Sequence, residues 1–363
     1  MRQILSVDIK NDKLIDYKIE ISDESFSKLR EDIDLITSGK KVLWVVSEKV
    51  YKLFAKELNL NDSNIFILKD GEAQKNFKNY SRILEKAYEL GLTRSDYFIA
   101  LGGGVVGDIV GFAASTYMRG ISFIQIPTTL LSMVDSSVGG KTAIDLENGK
   151  NIVGTFYQPK KVFININFLK TLDKRQYLSG LGEILKYAFI EDNCGYKHSL
   201  FFFEHLTLSC EKLLEREPKN LMRVIEYCLN MKTAVVMQDE KESGLRKVLN
   251  FGHTFGHALE TLGKYKKYTH GEAVVQGMFF IFNWAYSKGH ITYSYYRMAI
   301  ELLSKYGFKG VNISKLPCEK LLEFMKKDKK ATSNKITFII PTEKKKVREL
   351  KLTSEEVVEM LNC

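Results

Sequence analysis

Residues 96–115 read DYFIALGGGVVGDIVGFAAS. Asp96 to Leu101 is an apolar run with strand character, the glycines follow, and a helical pattern comes next. Gly102, Gly104 and Gly107 fit G-x-G-x-x-G, and strand, glycine turn, helix is the context in which that motif has meaning. Such a turn lets the backbone approach a pyrophosphate, while the helix N-terminus adds N–H donors and the positive end of its dipole. The stretch therefore predicts phosphate or dinucleotide contact in an α/β domain, with a plain tight turn as the competing reading. Two features set it apart from a standard Rossmann unit. The motif is not in the first βαβ unit of the chain, and the next strand, Ser122 to Ile126, runs into Pro127-Thr128-Thr129 where an acidic residue would read a ribose.

Working outward, Ile4–Ile9 and Leu14–Ile21 read as strands joined at the turn-prone pair Asn11-Asp12. Lys41–Ser47 (KVLWVVS) is the β-branched run of a buried parallel strand. Asn64–Leu68 and Val162–Ile166 are further strands, with helices at Val50–Leu58 and Phe77–Leu90. Residues 126–159 hold Asp135, Gly139, Gly140, Lys141, Lys150 and Asn151. Gly-Gly-Lys-Thr resembles half of a P-loop, but Asp135 stands where GxxxxGK[ST] needs its first glycine, so that reading fails. The lysines and Asn151 can still grip an anion.

From about Phe168 helical spacing dominates: Tyr177–Ile190, Phe201–Glu215, Leu221–Gln238, Val274–Lys288 and Tyr295–Tyr306. Short strands follow at Lys335–Ile340 and Lys346–Leu352, then a helix from Ser354. A chain of 363 residues is long enough for two domains. The expected fold is an α/β, Rossmann-like N-terminal domain over residues 1–170 and a mostly α-helical C-terminal domain over 171–363.

Three of the six histidines fall within 18 residues, in LNFGHTFGHALETLGKYKKYTHGE at 249–272. His253 and His257, spaced i, i+4, share one helix face, which is how a helix offers a metal two nitrogen ligands. His270 opens the next helical stretch. This is not HExxH, because Thr254 occupies the glutamate position. Three imidazoles, or two plus a carboxylate from elsewhere, suit a divalent metal with an open position. A lone histidine is usually a packing or surface residue; three flanked by Gly252, Gly256 and Gly271 favour a metal or catalytic site.

Bulk properties narrow the partners. With 45% hydrophobic and 27% charged residues the chain is an ordinary globular protein. Its net charge of +10 could serve nucleic acid or an anionic small molecule. The lysines are dispersed and no stretch interleaves basic with aromatic residues, so no nucleic-acid partner is expected. Five cysteines without a CxxC pair suggest free thiols in a reducing compartment. The N-terminus lacks the apolar core of a signal peptide, and the longest apolar run, near Ala273–Tyr286, is too short to span a membrane. A cytoplasmic protein with no membrane partner is expected.

The blocks DGEAQK (70–75), GGGVVGDIVGFAASTYMRG (102–120), IPTTLLSMVDSSVGGKTAID (126–145), KNIVGTFYQP (150–159), FLKTL (168–172), GLGEILKYA (180–188), LNFGHTFGHALE (249–260), HGEAVVQGM (270–278) and MKKDKK (325–330) lie in the order found in the 3-dehydroquinate synthase family of sugar-phosphate cyclases. The chain resembles that family from about residue 70 to 280. The resemblance implies conversion of 3-deoxy-D-arabino-heptulosonate 7-phosphate to 3-dehydroquinate and phosphate, in aromatic amino acid biosynthesis by the shikimate pathway. It implies bound NAD and a divalent metal, zinc or cobalt. In the family an alcohol is transiently oxidised, phosphate is eliminated, the hydride returns, and an aldol step closes the ring.

By the same resemblance the metal ligands are Glu183, His253 and His270, and His257 becomes a substrate contact near the phosphate. Lys141, Lys186, Lys232, Arg246, Asn250 and Asn151 match the anion-binding set, with Lys329 or Lys330 beside them. Asp135 and Glu242 match acidic residues of the pocket. Arg119 resembles an arginine that reaches a neighbouring subunit's site, implying a homodimer. For NAD the matching positions are Asp70, Gly71, Glu72, Lys75, Gly104, Val105, Val106, Gly107, Asp108, Thr128, Thr129, Lys141, Lys150 and the segment Phe168, Leu169, Lys170, Thr171. Departures from the pattern are Gly182 where the family has Ala, Asp173-Lys174-Arg175-Gln176 after the LKTL block, Asn165 and Asn167 where Asp is common, and the tail after Pro341. Gly182 costs about 1 kcal/mol against Ala in a helix, so a local packing reason is expected.

Three other readings stand beside this one. A sibling cyclase, making 2-epi-5-epi-valiolone or 2-deoxy-scyllo-inosose, would share fold, NAD and metal; Lys232 with Arg246, suited to a substrate carboxylate, favours the synthase. A metal-dependent alcohol or glycerol dehydrogenase would release NADH and need no lysine-rich phosphate site. A basic binding protein leaves Glu183, His253 and His270 unexplained.

Overall fold

The computed structural model describes residues 1–10, 14–60, 62–147, 149–196, 201–327, 335–342 and 345–361. The expected Asn11-Asp12 turn, Lys329, Lys330 and Cys363 lie outside the described residues. The chain forms two compact units, Met1–Leu172 with Leu221–Thr233, and Asp173–Asn220 with Ala234–Cys363.

The first unit is built on strands β1 (Arg2–Lys10), β2 (Leu14–Ser22), β3 (Val42–Ser47), β4 (Ile65–Leu68), β5 (Tyr97–Gly102), β6 (Ser122–Pro127), β7 (Lys141–Leu146), β8 (Gly149–Phe156) and β9 (Lys161–Asn165). Seven of them form one sheet in the order β1-β2-β9-β6-β5-β3-β4. Only β1–β2 is antiparallel within it; β2–β9, β9–β6, β6–β5, β5–β3 and β3–β4 are parallel. The central strands carry near-continuous apolar runs because both faces are covered, as parallel sheets require. From β3 the chain moves to one side, to β4, and from β5 to the other, to β6. Strands β3 and β5 therefore flank a topological switch point, and ligands of open α/β sheets bind outside the carboxyl ends of such strands. The glycine turn after β5 lies at that end.

Strands β7 and β8 form a separate antiparallel hairpin with an irregular register between Ile144 and Leu146. Sequence periodicity gave no sign of it, because β8 is largely solvent-exposed. A single π turn at Ser132–Ser136 carries Asp135.

The second unit is helical, as expected: Lys174–Ile190, His253–Leu262, His270–Ser287 and Tyr293–Lys305 are its main helices. Two antiparallel strands, Lys335–Thr342 and Lys346–Thr353, and a helix at Ser354–Leu361 complete the described part. The expected helix over Phe201–Glu215 is two, Phe202–Leu208 and Cys210–Leu214, broken at Ser209. Within the long helix Pro218–Gln238, residues 221–233 cluster with the first unit, although the sequence reading assigned them to the second domain. Among the described residues no helix is long and apolar enough to cross a membrane.

Two departures from the family pattern acquire reasons here. Asn165 is fully buried; its side-chain amide donates to the Glu24 carbonyl at 2.9 Å, while Asn167 donates to the carbonyls of Asp23 and Glu24 at 3.0 and 2.9 Å. A carboxylate has no hydrogen to give at either place. Asp173 caps the helix Lys174–Ile190 by accepting from the Arg175 and Gln176 N–H groups, and Arg175 pairs with Glu272 at 2.8 Å.

Candidate active site

In the second unit Glu183 sits on the helix Lys174–Ile190 with no exposed surface. Its Oε1 lies 3.5 Å from His253 Nε2 and 3.3 Å from His270 Nε2, and its Oε2 lies 2.5 Å from Lys186 Nζ. His253 and His270 are the first residues of their helices. The helix His270–Ser287 starts with a capping box, in which the Thr269 side chain accepts from the Glu272 N–H and Glu272 reaches back. Gly252 precedes His253 in the left-handed region (φ 78°), where a Cβ would also fall 2.6 Å from the Val274 carbonyl. Gly271 lets two helices approach: a Cβ there would sit 1.8 Å from the Ser179 carbonyl. These glycines let the starts of the two histidine helices close on each other and on the helix that carries Glu183.

Each of the two imidazoles is oriented from behind. His253 Nδ1 is 3.1 Å from the Phe251 carbonyl and His270 Nδ1 is 3.1 Å from Glu260 Oε2. A carbonyl and an ionised carboxylate are acceptors, which assigns the proton to Nδ1 and leaves Nε2 facing Glu183. Two imidazole acceptors pressed within 3.5 Å of a carboxylate oxygen repel unless a proton or a cation joins them. Burial holds His253 well below the ordinary imidazole value. Burial acts the same way on His270, but Glu260 and Glu183 outweigh it and raise the ring to about 10. The donor set, two nitrogens and a carboxylate, is that of divalent zinc- or cobalt-type sites. His257 is close as well: nitrogens of His253, His257 and His270 lie within 4.8 Å of one another. Two candidate ligand sets, one with Glu183 and one with His257, therefore share His253 and His270.

The rest of the second unit's expected site is a polar loop. Arg246 is 2% exposed, and its guanidinium donates to the Glu240 carbonyl. Asn250 donates to Glu242 Oε1 at 2.5 Å. Sequence reading missed Asp239, which organises this loop. It accepts the N–H groups of Ser243, Gly244 and Arg246 at 2.9, 2.7 and 2.9 Å. Burial would raise Asp239, but those donors prevail and hold it down at about 2.

The first unit gathers a second cluster at Lys75, 3% exposed. Its ammonium lies 3.0 Å from Glu72, 3.1 Å from Asp108 and 3.8 Å from Asp145, and donates to Asn151 Oδ1 at 2.5 Å. Lys150 pairs with Glu72 at 3.3 Å. Asn151 adopts a left-handed conformation (φ 55°) and its N–H donates to Asp145 Oδ1 at 2.8 Å. Burial acts most strongly on Asp108, pushing it up to about 6 against the pull of Lys75. Asp145 was not singled out from the sequence; it links Lys75 and Asn151 across the irregular turn of the β7–β8 hairpin.

Around the glycine turn, the Thr128 N–H donates to the Gly102 carbonyl at 3.0 Å and Thr129 Oγ1 meets Ser132 Oγ at 2.8 Å. Helix Gly104–Thr116 opens on Gly103, which has no side chain to cap it. Gly107 packs where a Cβ would strike the Gln125 side chain at 2.1 Å. Val106 is buried in the hydrophobic core and the half-buried Val105 packs against it. Asp70 is exposed after β4 and accepts from the Lys49 N–H at 3.1 Å; Gly71 follows at φ 106°. Phe168 and Leu169 are buried, Phe168 packing tilted against Phe26 and edge-on against Phe54, while Lys170 and Thr171 are exposed. Lys232 is buried beside Asp135 at 2.6 Å. Lys141 is exposed at the start of β7, and Arg119 is exposed in a turn where Met118, Arg119 and Gly120 all have positive φ.

Comparison with known proteins gives the family of the chain. Residues 65–179 match the 3-dehydroquinate synthase N-terminal family and residues 180–331 match the 3-dehydroquinate synthase C-terminal family. The 3-dehydroquinate synthase of Alkaliphilus metalliredigens (strain QYMF) is 47% identical over 330 residues, covering 90% of each chain. Two solved structures share the fold at 22% identity. One is 2-deoxy-scyllo-inosose synthase complexed with carbaglucose-6-phosphate, NAD+ and Co2+ (TM-score 0.80, 99% of each chain). The other is the 2-epi-5-epi-valiolone synthase ValA from Streptomyces hygroscopicus subsp. jinggangensis 5008 with NAD+ and Zn2+ bound (TM-score 0.84, 98% of each chain). The family matches together span most of the sequence, and the chain belongs to the 3-dehydroquinate synthase family.

Proposed function

We propose that the chain converts 3-deoxy-D-arabino-heptulosonate 7-phosphate to 3-dehydroquinate and phosphate, with NAD and a divalent metal as resident cofactors. The observation that carries this reading is the approach of His253 and His270 Nε2 to one buried carboxylate, Glu183, beside the buried ammonium of Lys186. When bound, the metal supplies Lewis acidity toward substrate hydroxyls and NAD supplies a reversible hydride acceptor.

The chain's own residues do the remainder. Glu183, His253 and His270 hold the metal. By the family assignment His257 lies outside that set and contacts substrate, although its nitrogens come within 4.8 Å of those of His253 and His270. Lys186, Lys232, Arg246, Lys141, Asn151 and Asn250 bind an anionic substrate bearing phosphate and carboxylate, with Lys329 or Lys330. Asp135 and Glu242 hold Lys232 and Asn250 in place. The N–H groups opening helix Gly104–Thr116 receive the NAD pyrophosphate at the switch point, and Asp70, Gly71, Glu72, Lys75, Asp108, Thr128, Thr129, Lys150 and the segment 168–171 complete that site. Arg119 acts in a homodimer. Four free cysteines among the described residues support a reducing, cytoplasmic setting.

The test mixes metal-loaded protein with the heptulosonate phosphate and catalytic NAD. Phosphate and dehydroquinate in equal amounts, with no accumulating NADH, are expected. NADH without phosphate would make the protein a dehydrogenase, and turnover of other sugar phosphates alone would make it a sibling cyclase.

A further inference from the structure

Glu260 lies on the helix His253–Leu262, seven residues after His253 and three after His257, so the two histidines and this carboxylate share one helix face. It is 5% exposed. A glutamate that buried needs a partner, and Glu260 Oε2 is 3.1 Å from His270 Nδ1. His253 is backed differently: its Nδ1 faces the Phe251 carbonyl, fixed by the main chain. The orientation of His270 thus rests on a side chain, on another helix, that no family block singled out for chemistry.

We propose that Glu260 is the positioning residue of the metal centre: it fixes the His270 ring and tautomer and strengthens its Nε2 as a donor. Carboxylates behind metal-bound histidines do this, and their loss weakens metal binding about 10- to 100-fold. The inference rests on the reading of Glu183, His253 and His270 as ligands. Glu260 itself touches neither the metal nor the substrate in this scheme.

The experiment is a zinc titration of the full-length protein against a chromophoric chelator, paired with the visible spectrum of the cobalt form. Glu260→Gln is expected to bind zinc about 10- to 100-fold more weakly and to shift the cobalt d–d bands, with apo thermal stability near that of the parent. Glu260→Asp, which keeps the charge but shortens the reach, is expected to fall between them and serves if the glutamine variant fails to fold. His270→Ala is the control. If His270→Ala loses zinc while Glu260→Gln keeps parental affinity and spectrum, the positioning role is overturned and the ligand set stands. If His270→Ala keeps parental affinity, the ligand set is overturned and the inference with it.

Discussion

Lys75 and Glu183 are mirror images. Lys75 is a buried cation enclosed by Glu72, Asp108, Asp145 and the Asn151 carbonyl oxygen. Glu183 is a buried anion enclosed by Lys186, His253 and His270. Neither charge could stand in an apolar interior without its surroundings. The difference lies in what surrounds them. Around Lys75 the compensating groups are carboxylates; burial alone would lower the lysine, but its neighbours hold it above the usual value. Around Glu183 one neighbour is a fixed ammonium and the other two are imidazoles, side chains that hold divalent metals through an unprotonated Nε2. The first cluster is balanced by side chains of its own and sets the shape of the β7–β8 turn beside the proposed NAD site. The second is a site whose counter-charge can be replaced.

The largest expected effect breaks the closed cluster. Lys75→Met removes the one cation that Glu72, Asp108 and Asp145 share, and a buried ion pair stripped of one partner costs roughly 3–5 kcal/mol. Urea unfolding would measure it. A loss under about 1 kcal/mol would mean the carboxylates relax into water and the cage is no scaffold. Glu183→Gln should behave otherwise. The amide oxygen still accepts from Lys186 and His270 can release its proton, so the stability loss should stay within about 1–3 kcal/mol while zinc binding is lost. Equal stability losses in the two variants would erase the distinction.

The pH dependence of stability sharpens it further. Asp108 titrates at about 6 in the fold against an ordinary value of 3.8. The folded state therefore binds this proton more tightly than the unfolded state does. Its contribution is most favourable below pH 4 and is lost as pH rises toward 6, by at most ~1.4 kcal/mol per pH unit. Asp239, held at about 2, runs the other way: its contribution is present above pH 4 and is lost as pH falls toward 2. Asp108→Asn should flatten the urea midpoint between pH 4 and 6, and Asp239→Asn should flatten it only below pH 4. Identical profiles for both variants would refute the assignment.

What could be read from the sequence follows from range. The parallel strands and the glycine turn rest on local patterns, and β3 to β6 appear where alternating apolar runs and helices put them. The β7–β8 hairpin carried no such signal, since its second strand meets solvent on most positions. His253 and His257 declared themselves by spacing, but Glu183 lies 70 residues upstream and only the family resemblance named it. Asp145, Asp239 and Glu260 were missed because an isolated acidic residue is by default a surface residue. Glu260 had one usable sign, its place on the histidine face two turns below His253.

The smallest expected effect tests how tightly the second cluster is set. Gly182 stands next to Glu183, at a position where the family resemblance leads one to expect alanine. A Cβ there would lie 2.6 Å from the Gly271 carbonyl oxygen and 3.1 Å from Val275 Cγ2. The glycine lets the helix carrying Glu183 lie against the start of the helix carrying His270. Gly182→Ala gains about 1 kcal/mol of helix propensity. Against this, the methyl group meets backbone that cannot rotate away, and overpacking of that kind costs about 1–3 kcal/mol. A net destabilisation of about 1 kcal/mol is expected from thermal unfolding of the apo protein. Because the strain falls between Glu183 and His270, the same substitution should weaken zinc binding while leaving the Lys75 cluster's pH profile unchanged. A stabilised variant with parental zinc affinity would show that the helices have room to part, and that the donor spacing around Glu183 is looser than the fixed carboxylate cage around Lys75.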